Sequence, residues 1–236
     1  MKSNKATGLD NIASEHLREM FCVIGPYLEH MFNYILDGAD LASMWYLSKM
    51  KALFKGTGET KDPNAYRGIY FQSHTYKLLT SINAERVYCH VERRTLPDTQ
   101  FGFRKGKSTI HAIQTINEII LKEVTNTGHM FIVFVDFVKA FDTIDRDVLM
   151  KKLFLLRNIK GKLFKVILKI MANNSIVINI NGKKSRPIKQ SREVLQGNTL
   201  SPLLFSLYIA DMPDSLINGN DNIRIFVCWW FSNSEY

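Results

Sequence analysis

The apolar positions of this chain change period several times, and each change marks an element. Residues 9 to 36 place Leu17, Met20, Phe21, Ile24, Leu28, Phe32 and Ile35 at roughly helical spacing, with Gly25-Pro26 interrupting them, which predicts two helices. The polar, Gly-rich stretch FKGTGETKDPNAYRG (54 to 68) reads as a mobile basic loop between short strands, and helical periodicity resumes over residues 73 to 94. Ser108 is placed to cap a helix running to about Lys122, because Ile110, Ile113, Ile116, Ile120 and Val124 form one stripe, and Gly128 ends it. The apolar run Phe131 to Val135 then reads as a buried strand that delivers Asp136 at its end. RDVLMKKLFLL is expected to be a helix whose N-terminus Asp145 caps, and SIVINING (175 to 182) a hairpin turning at Asn181-Gly182. Ser201-Pro202 predicts a helix start, with Ser as N-cap and Pro at the first helical position. Helices mixed with mostly non-consecutive strands make the fold class α+β.

Composition narrows the function without naming it. With 236 residues, 46% of them hydrophobic, the chain can bury a core of one domain or two interleaved subdomains. Thirty-one Lys and Arg against 22 Asp and Glu give +9, which favours a polyanionic partner. Cys22, Cys89 and Cys228 are odd in number and lack CxxC spacing, so neither a disulfide framework nor a zinc knuckle is expected, and a reducing cytoplasm or nucleus fits. The six histidines form no HxxxH or HExxH pair and receive no metal role. No signal peptide is recognised, and the longest apolar runs fall short of the ~18 residues of a membrane span, so a soluble chain with no membrane partner is expected.

Two stretches invite a chemical reading. GFRKGKS (102 to 108) imitates a phosphate loop, yet it places three residues between Gly102 and Gly106 where GxxxxGK[ST] demands four, and no obvious strand precedes it. Asp136 is different: a carboxylate at the end of an apolar strand must find a cation or lose its charge. A hard ion such as Mg²⁺ suits an oxygen donor there, and an Asp that caps a turn or pairs with one of the many lysines suits it equally. Asp142, Asp145 and Asp147 fit a turn and the positive end of the following helix.

The block FVDFVKAFDTIDRDVL (134 to 149) resembles the first catalytic block of reverse transcriptases, in the variety found in non-LTR (LINE-type) retrotransposons. KATGLDNIASEHL (5 to 17) and DPNAYRGIYFQSHTYKLLTSINAERV (62 to 87) are similar to that family's fingers blocks, and QFGFRKGKSTIHAI (100 to 113) and EVLQGNTLSPLLFSLYIADM (193 to 212) match two more, in the family's order. The resemblance implies a right-hand polymerase fragment: fingers over 1–95, palm with the first catalytic block over 96–146, a helix and hairpin insertion over 147–185, and palm again over 186–236. The palm would be a ferredoxin-like sheet with helices, incomplete here, and the thumb absent. In the family's roles, Asp136 and the backbone carbonyl of Phe137 would hold two Mg²⁺ ions for nucleotidyl transfer. Phe141 would lie under the incoming sugar and select deoxynucleotides; without the family it reads as an ordinary core Phe. Arg67, with Lys55 assisting, would hold the triphosphate of a dNTP, and Gln196-Gly197 would approach the nascent base pair, although the same turn also serves as a simple helix entry. RNA template and DNA primer phosphates would be tracked by the basic residues of 49 to 107 and 151 to 169.

The family's next block, Tyr/Phe-Ala-Asp-Asp on a hairpin, is replaced by Val227-Cys228-Trp229-Trp230. Back-translated as GTN-TGY-TGG-TGG and read one base on, that stretch gives TAT-GCT-GGT-GG, or Tyr-Ala-Gly-Gly, when N is A and Y is C, and each Gly codon is one G-to-A change from Asp. A frameshift is the hypothesis, and the nucleotide sequence over residues 227 to 231 tests it. The chain is therefore expected to lack activity alone, without the thumb and endonuclease regions of the parent polyprotein. The rival expectations are a non-catalytic basic nucleic-acid-binding remnant and the product of a decayed reading frame.

Overall fold

The computed structural model describes residues 5–92, 96–128, 130–134, 137, 140–180, 182–190, 194, 197–217 and 225–226. The chain opens with α1 (Ser14–Glu19) and α2 (Phe21–Leu36), broken at Met20 and not at Gly25-Pro26 as the sequence predicts. Pro26 sits in the second turn of α2, where its missing N–H forfeits one hydrogen bond, and the turns beyond it recover the loss by burying Phe32 and Ile35.

A sheet follows. β1 (Leu47–Phe54) and β2 (Tyr66–Phe71) form an antiparallel hairpin in which Leu53 faces Arg67 and Lys51 faces Ile69. The predicted loop closes it, and Asp62 accepts from the Asn64 N–H in a short turn at Pro63–Ala65. β3 (Ser175–Ile180) joins β1 in parallel, and its other edge pairs antiparallel with β4 (Lys183–Lys184) and β5 (Ile188–Lys189). The order is β2-β1-β3-β4, so the chain leaves the sheet after β2 and returns about a hundred residues later.

Between these visits it builds the helical layer. Ser73 caps α3 (His74–Val91), its hydroxyl accepting from the Tyr76 N–H. Ser108 caps α4 (Thr109–Thr127), and Gly128, at φ +78°, ends it as predicted. Asp145 accepts from the Asp147 and Val148 N–H groups at the start of α5 (Arg146–Leu155), placing a carboxylate at the positive end of the helix. α6 (Gly161–Met171) and α7 (Ser201–Ile209) complete the packing, with α8 (Met212–Ile217) behind them. α7 starts one residue earlier than expected: Ser201 and Pro202 lie in its first turn, and the Asn198 side chain accepts from the Leu200 N–H before it. Leu203, Leu204, Phe205, Leu207 and Ile209 are all buried, as are Ser201 and Ser206, so α7 is covered on nearly every side and lies within the core. Tyr76 and Leu79 of α3, Leu149 and Leu153 of α5, and Ile167 and Ile170 of α6 close on it.

The fold is thus a mixed sheet with a helical core, in agreement with α+β. The predicted buried strand at 131–135 is not found over its described residues: Phe131, Ile132, Val133 and Phe134 lie outside any strand, at 90%, 43%, 83% and 86% exposure. A buried strand needs a neighbouring strand to pair with, and no strand among the described residues pairs with this run. Of the predicted stripe of α4, Ile110, Ile113 and Val124 are likewise exposed, while Ile116 and Ile120 are half-buried. No helix among the described residues is long and apolar enough to cross a membrane.

Candidate functional site

The Gln-Gly block meets the sheet at one glycine. Gly197 takes φ +95°, and a Cβ there would stand 2.9 Å from the Tyr70 carbonyl oxygen, so only glycine lets this loop lie against β2. Thr199, two residues on, fastens the same loop to α3. Burial pushes the pKa of the neighbouring Tyr76 hydroxyl well up, and Asn198 draws it down by less. Thr199 shares a 2.8 Å hydrogen bond with the Thr80 hydroxyl and accepts a second from Ser81 at 3.2 Å. Neither Asn198-Thr199 nor Tyr76 is singled out by the sequence; their one signal is adjacency to Gly197.

Arg67 lies three residues before Tyr70 on β2, roughly 10 Å along an extended strand. It is exposed and makes no ion pair with another described residue. Lys55, one step past β1, donates its backbone N–H to the Ala65 carbonyl and its Nζ to the Asn64 carbonyl at 2.7 Å. That ties it to the hairpin end, on the same face of the ladder as Leu53 and hence Arg67.

Phe141 is in the core at 8% exposure, its ring centroid 5.1 Å from that of Phe205 and 6.2 Å from that of Phe103. Its carbonyl accepts from the Val194 N–H at 3.2 Å, which binds the 140–144 turn to the segment leading into Gly197. Phe137 is exposed, outside helix and strand. Asp136 and Gln196 lie outside the described residues, as do Asn181 and the replaced block at 227–230. The structure therefore brings Gly197, the β2 strand of Arg67 and the turn of Phe141 together around one loop. It shows no direct side-chain contact between Arg67 and the others.

The first block docks at the same place. Gly8 presses on the β2–α3 junction so closely that a Cβ would be 2.6 Å from the Ser73 nitrogen. Next to it, burial and then the nearby Lys77 ammonium hold the pKa of His74 below the ordinary histidine value, while a hydrogen bond with the Ala6 backbone works the other way. The cavity beside QFGFRKGKST, about 530 Å³ and lined by Phe101, Lys107, His111 and Phe226, belongs to another region. Among the described residues no group of three His, Cys, Asp or Glu side chains is placed to hold a metal ion. The described donors alone thus do not make a cage for a divalent ion.

Comparison with known proteins gives the arrangement a lineage. Residues 56–229 match the family model described as reverse transcriptase (RNA-dependent DNA polymerase). The chain is 30% identical, over 89% of its length, to a probable RNA-directed DNA polymerase from transposon BS of Drosophila melanogaster. It is 26% identical over 95% of its length to the corresponding protein of transposon X-element, and 25% over 89% to the RNA-directed DNA polymerase from mobile element jockey, both from the same organism. It spans 23%, 25% and 23% of these relatives' own lengths, about a quarter of each.

Proposed function

Because the chain belongs to the reverse transcriptase (RNA-dependent DNA polymerase) family, we propose that it is the fingers and part of the palm of a retrotransposon RNA-directed DNA polymerase. The observation that carries this is the seat of Gly197 on the Tyr70 carbonyl, which puts the Gln-Gly block beside the strand of Arg67. In a template-directed polymerase those two elements must meet over the incoming nucleotide. Arg67 offers a planar guanidinium to phosphate oxygens, and Lys55 adds a charge from the hairpin end. Phe141 supports the sugar from below, held there by Phe103 and Phe205.

The family's chemistry uses divalent ions, and Asp136 with the Phe137 carbonyl is our proposed pair of ligands, hard oxygen donors suited to Mg²⁺. When bound, such ions supply charge neutralisation at the triphosphate and activation of the primer hydroxyl. The acids that would complete the cage are missing from 227–230, where Val-Cys-Trp-Trp stands, so this chain alone is proposed to be inactive. RNA template, DNA primer and dNTP are its proposed partners, and an intracellular setting is proposed from its cysteine pattern, of which Cys22 and Cys89 are exposed free thiols.

A chimera tests the reading. Residues 1–226 replace the matching segment of the transposon BS polymerase, and primer extension is followed on an RNA template with Mg²⁺ and dNTPs. Extension is expected, with loss on Asp136→Ala and a raised KM for dNTP on Arg67→Ala. A chimera that melts cooperatively yet never extends a primer defeats it. The second reading, a nucleic-acid-binding remnant without catalysis, draws on the unpaired basic residues of the sheet, and the unaltered chain serves to test it by binding.

A further inference from the structure

Helix α2 carries two apolar faces, and the fold buries one of them. Phe32 and Ile35 lie in the core, with Leu28, Met31 and Leu36 packed against it. On the other side Tyr27 is 75% and Tyr34 67% exposed, and Val23, His30 and the N-cap residue Met20 are exposed with them. These five positions, 20, 23, 27, 30 and 34, follow one another at intervals of 3, 4, 3 and 4, the heptad spacing at which one helix keeps meeting another. None of the five carries a carboxylate, an ammonium or a guanidinium. The one acid within α2, Glu29, stands about 160° round the helix from Tyr27.

We propose that the occupant of this stripe is a second copy of the chain, its α2 helix antiparallel to the first about a two-fold axis between residues 28 and 29. A two-fold contact needs a surface that complements itself, and this pairing supplies one. Val23 of each copy meets Tyr34 of the other, and Tyr27 meets His30, whose ring can share a hydrogen bond with the phenol. The ends agree in charge. Glu19 of one copy comes level with residue 38 of the other, where Lys162 pairs with Asp37. Glu19 is held in its own chain by Arg18 alone, through an exposed pair of a kind that contributes little. A parallel pairing would set Glu19 beside Glu19 and Lys162 beside Lys162, so charge selects the antiparallel one.

The area sets the strength of the contact. An aromatic side chain offers about 150–250 Å², so the two tyrosines at these exposures, with Met20, Val23 and His30 beside them, present roughly 500 Å² per copy. A standard interface takes about 800 Å² per partner. The smaller area belongs to a dimer that forms and parts with concentration, and the two tyrosines are the side chains on which it turns.

The test uses the full chain carrying Ile113→Lys, which keeps the stripe of α4 out of the measurement, in sedimentation equilibrium over a range of concentrations. A monomer–dimer equilibrium is expected. Tyr27→Lys and Tyr34→Lys should each raise its dissociation constant about tenfold or more, and Glu29→Gln should leave it unchanged. All three side chains are exposed, so an unchanged melt accompanies each variant. Orientation is read by oxidative cross-linking with Cys22, Cys89 and Cys228 replaced by Ser. A mixture of the Val23→Cys and Tyr34→Cys chains should cross-link, since a disulfide needs Cα atoms within about 7 Å. Either variant alone should not, because equal positions stand roughly 16 Å apart along the antiparallel pair. The inference is overturned if the chain stays monomeric, if the Tyr27→Lys and Tyr34→Lys variants associate as before, or if each cysteine variant cross-links with itself as readily as with the other. None of these readouts requires primer extension, so the polymerase reading stands or falls separately.

Discussion

At the scale of single residues, Gly197 bears the sharpest demand. Replacing it with Ala asks an L residue to hold φ +95° and pushes a methyl to 2.9 Å from the Tyr70 carbonyl. The expected loss is about 1–3 kcal/mol of unfolding free energy, read from the urea midpoint at unchanged m-value. His74 makes a different forecast. Its neutral form is favoured in the folded state, by burial and then by Lys77, with Asp10 and Glu15 opposing. The unfolded chain therefore binds the proton more readily, and stability contributed by neutral His74 is present above the unfolded histidine pKa of about 6.5 and declines as pH falls below it. Urea midpoints compared at neutral and mildly acid pH should show a decline that His74→Phe flattens; an identical decline in the variant would assign it elsewhere. Of the two sites, Gly197 is legible in the sequence as part of a known block, whereas the buried state of His74 is not, because the 62 to 87 block that contains it does not say which elements cover each side chain.

At the scale of elements, most caps were readable and partners were not. Ser108, Asp145 and Gly128 bound their helices as the sequence predicts, because a capping hydrogen bond spans two or three residues, whereas Ser201, expected as an N-cap, lies inside the first turn of α7. The apolar run at 131–134 and the stripe of α4 show the opposite case. Periodicity reports that a face is apolar, but the element that covers it comes from elsewhere in the fold, and the side chains of Ile110, Ile113 and Val124 in the stripe remain exposed, as does Leu121 on the same helix. Their exposure predicts that Ile113→Lys or Leu121→Lys leaves the melting temperature of this chain within a degree or two, a change within ~0.5 kcal/mol, while lowering self-association in sedimentation. A cooperative loss of stability in either variant would show that the stripe is packed. Pro26 adds the same lesson from the other side: a residue that breaks helices in isolation is carried inside α2 by Phe32 and Ile35.

At the scale of the whole molecule, the fold brings together blocks that lie far apart in the chain. Residues 5–17 dock on the turn between β2 and α3, α3 receives the loop before α7, and the 140–144 turn binds Val194. The order of the blocks is visible in the sequence; the 119-residue separation between Thr80 and Thr199 hides their bond from any local reading. That bond has a kinetic corollary. Gly197 lies closely against β2 and Thr199 is bonded to Thr80 and Ser81 of α3, so opening of the loop must break with it a contact of the helix. In hydrogen–deuterium exchange the amides of Asn198 to Leu200 should open in step with the first two turns of α3, as one cooperative unit with one protection free energy. Thr199→Val should split that unit in two, giving the loop faster exchange than the helix it now keeps closed.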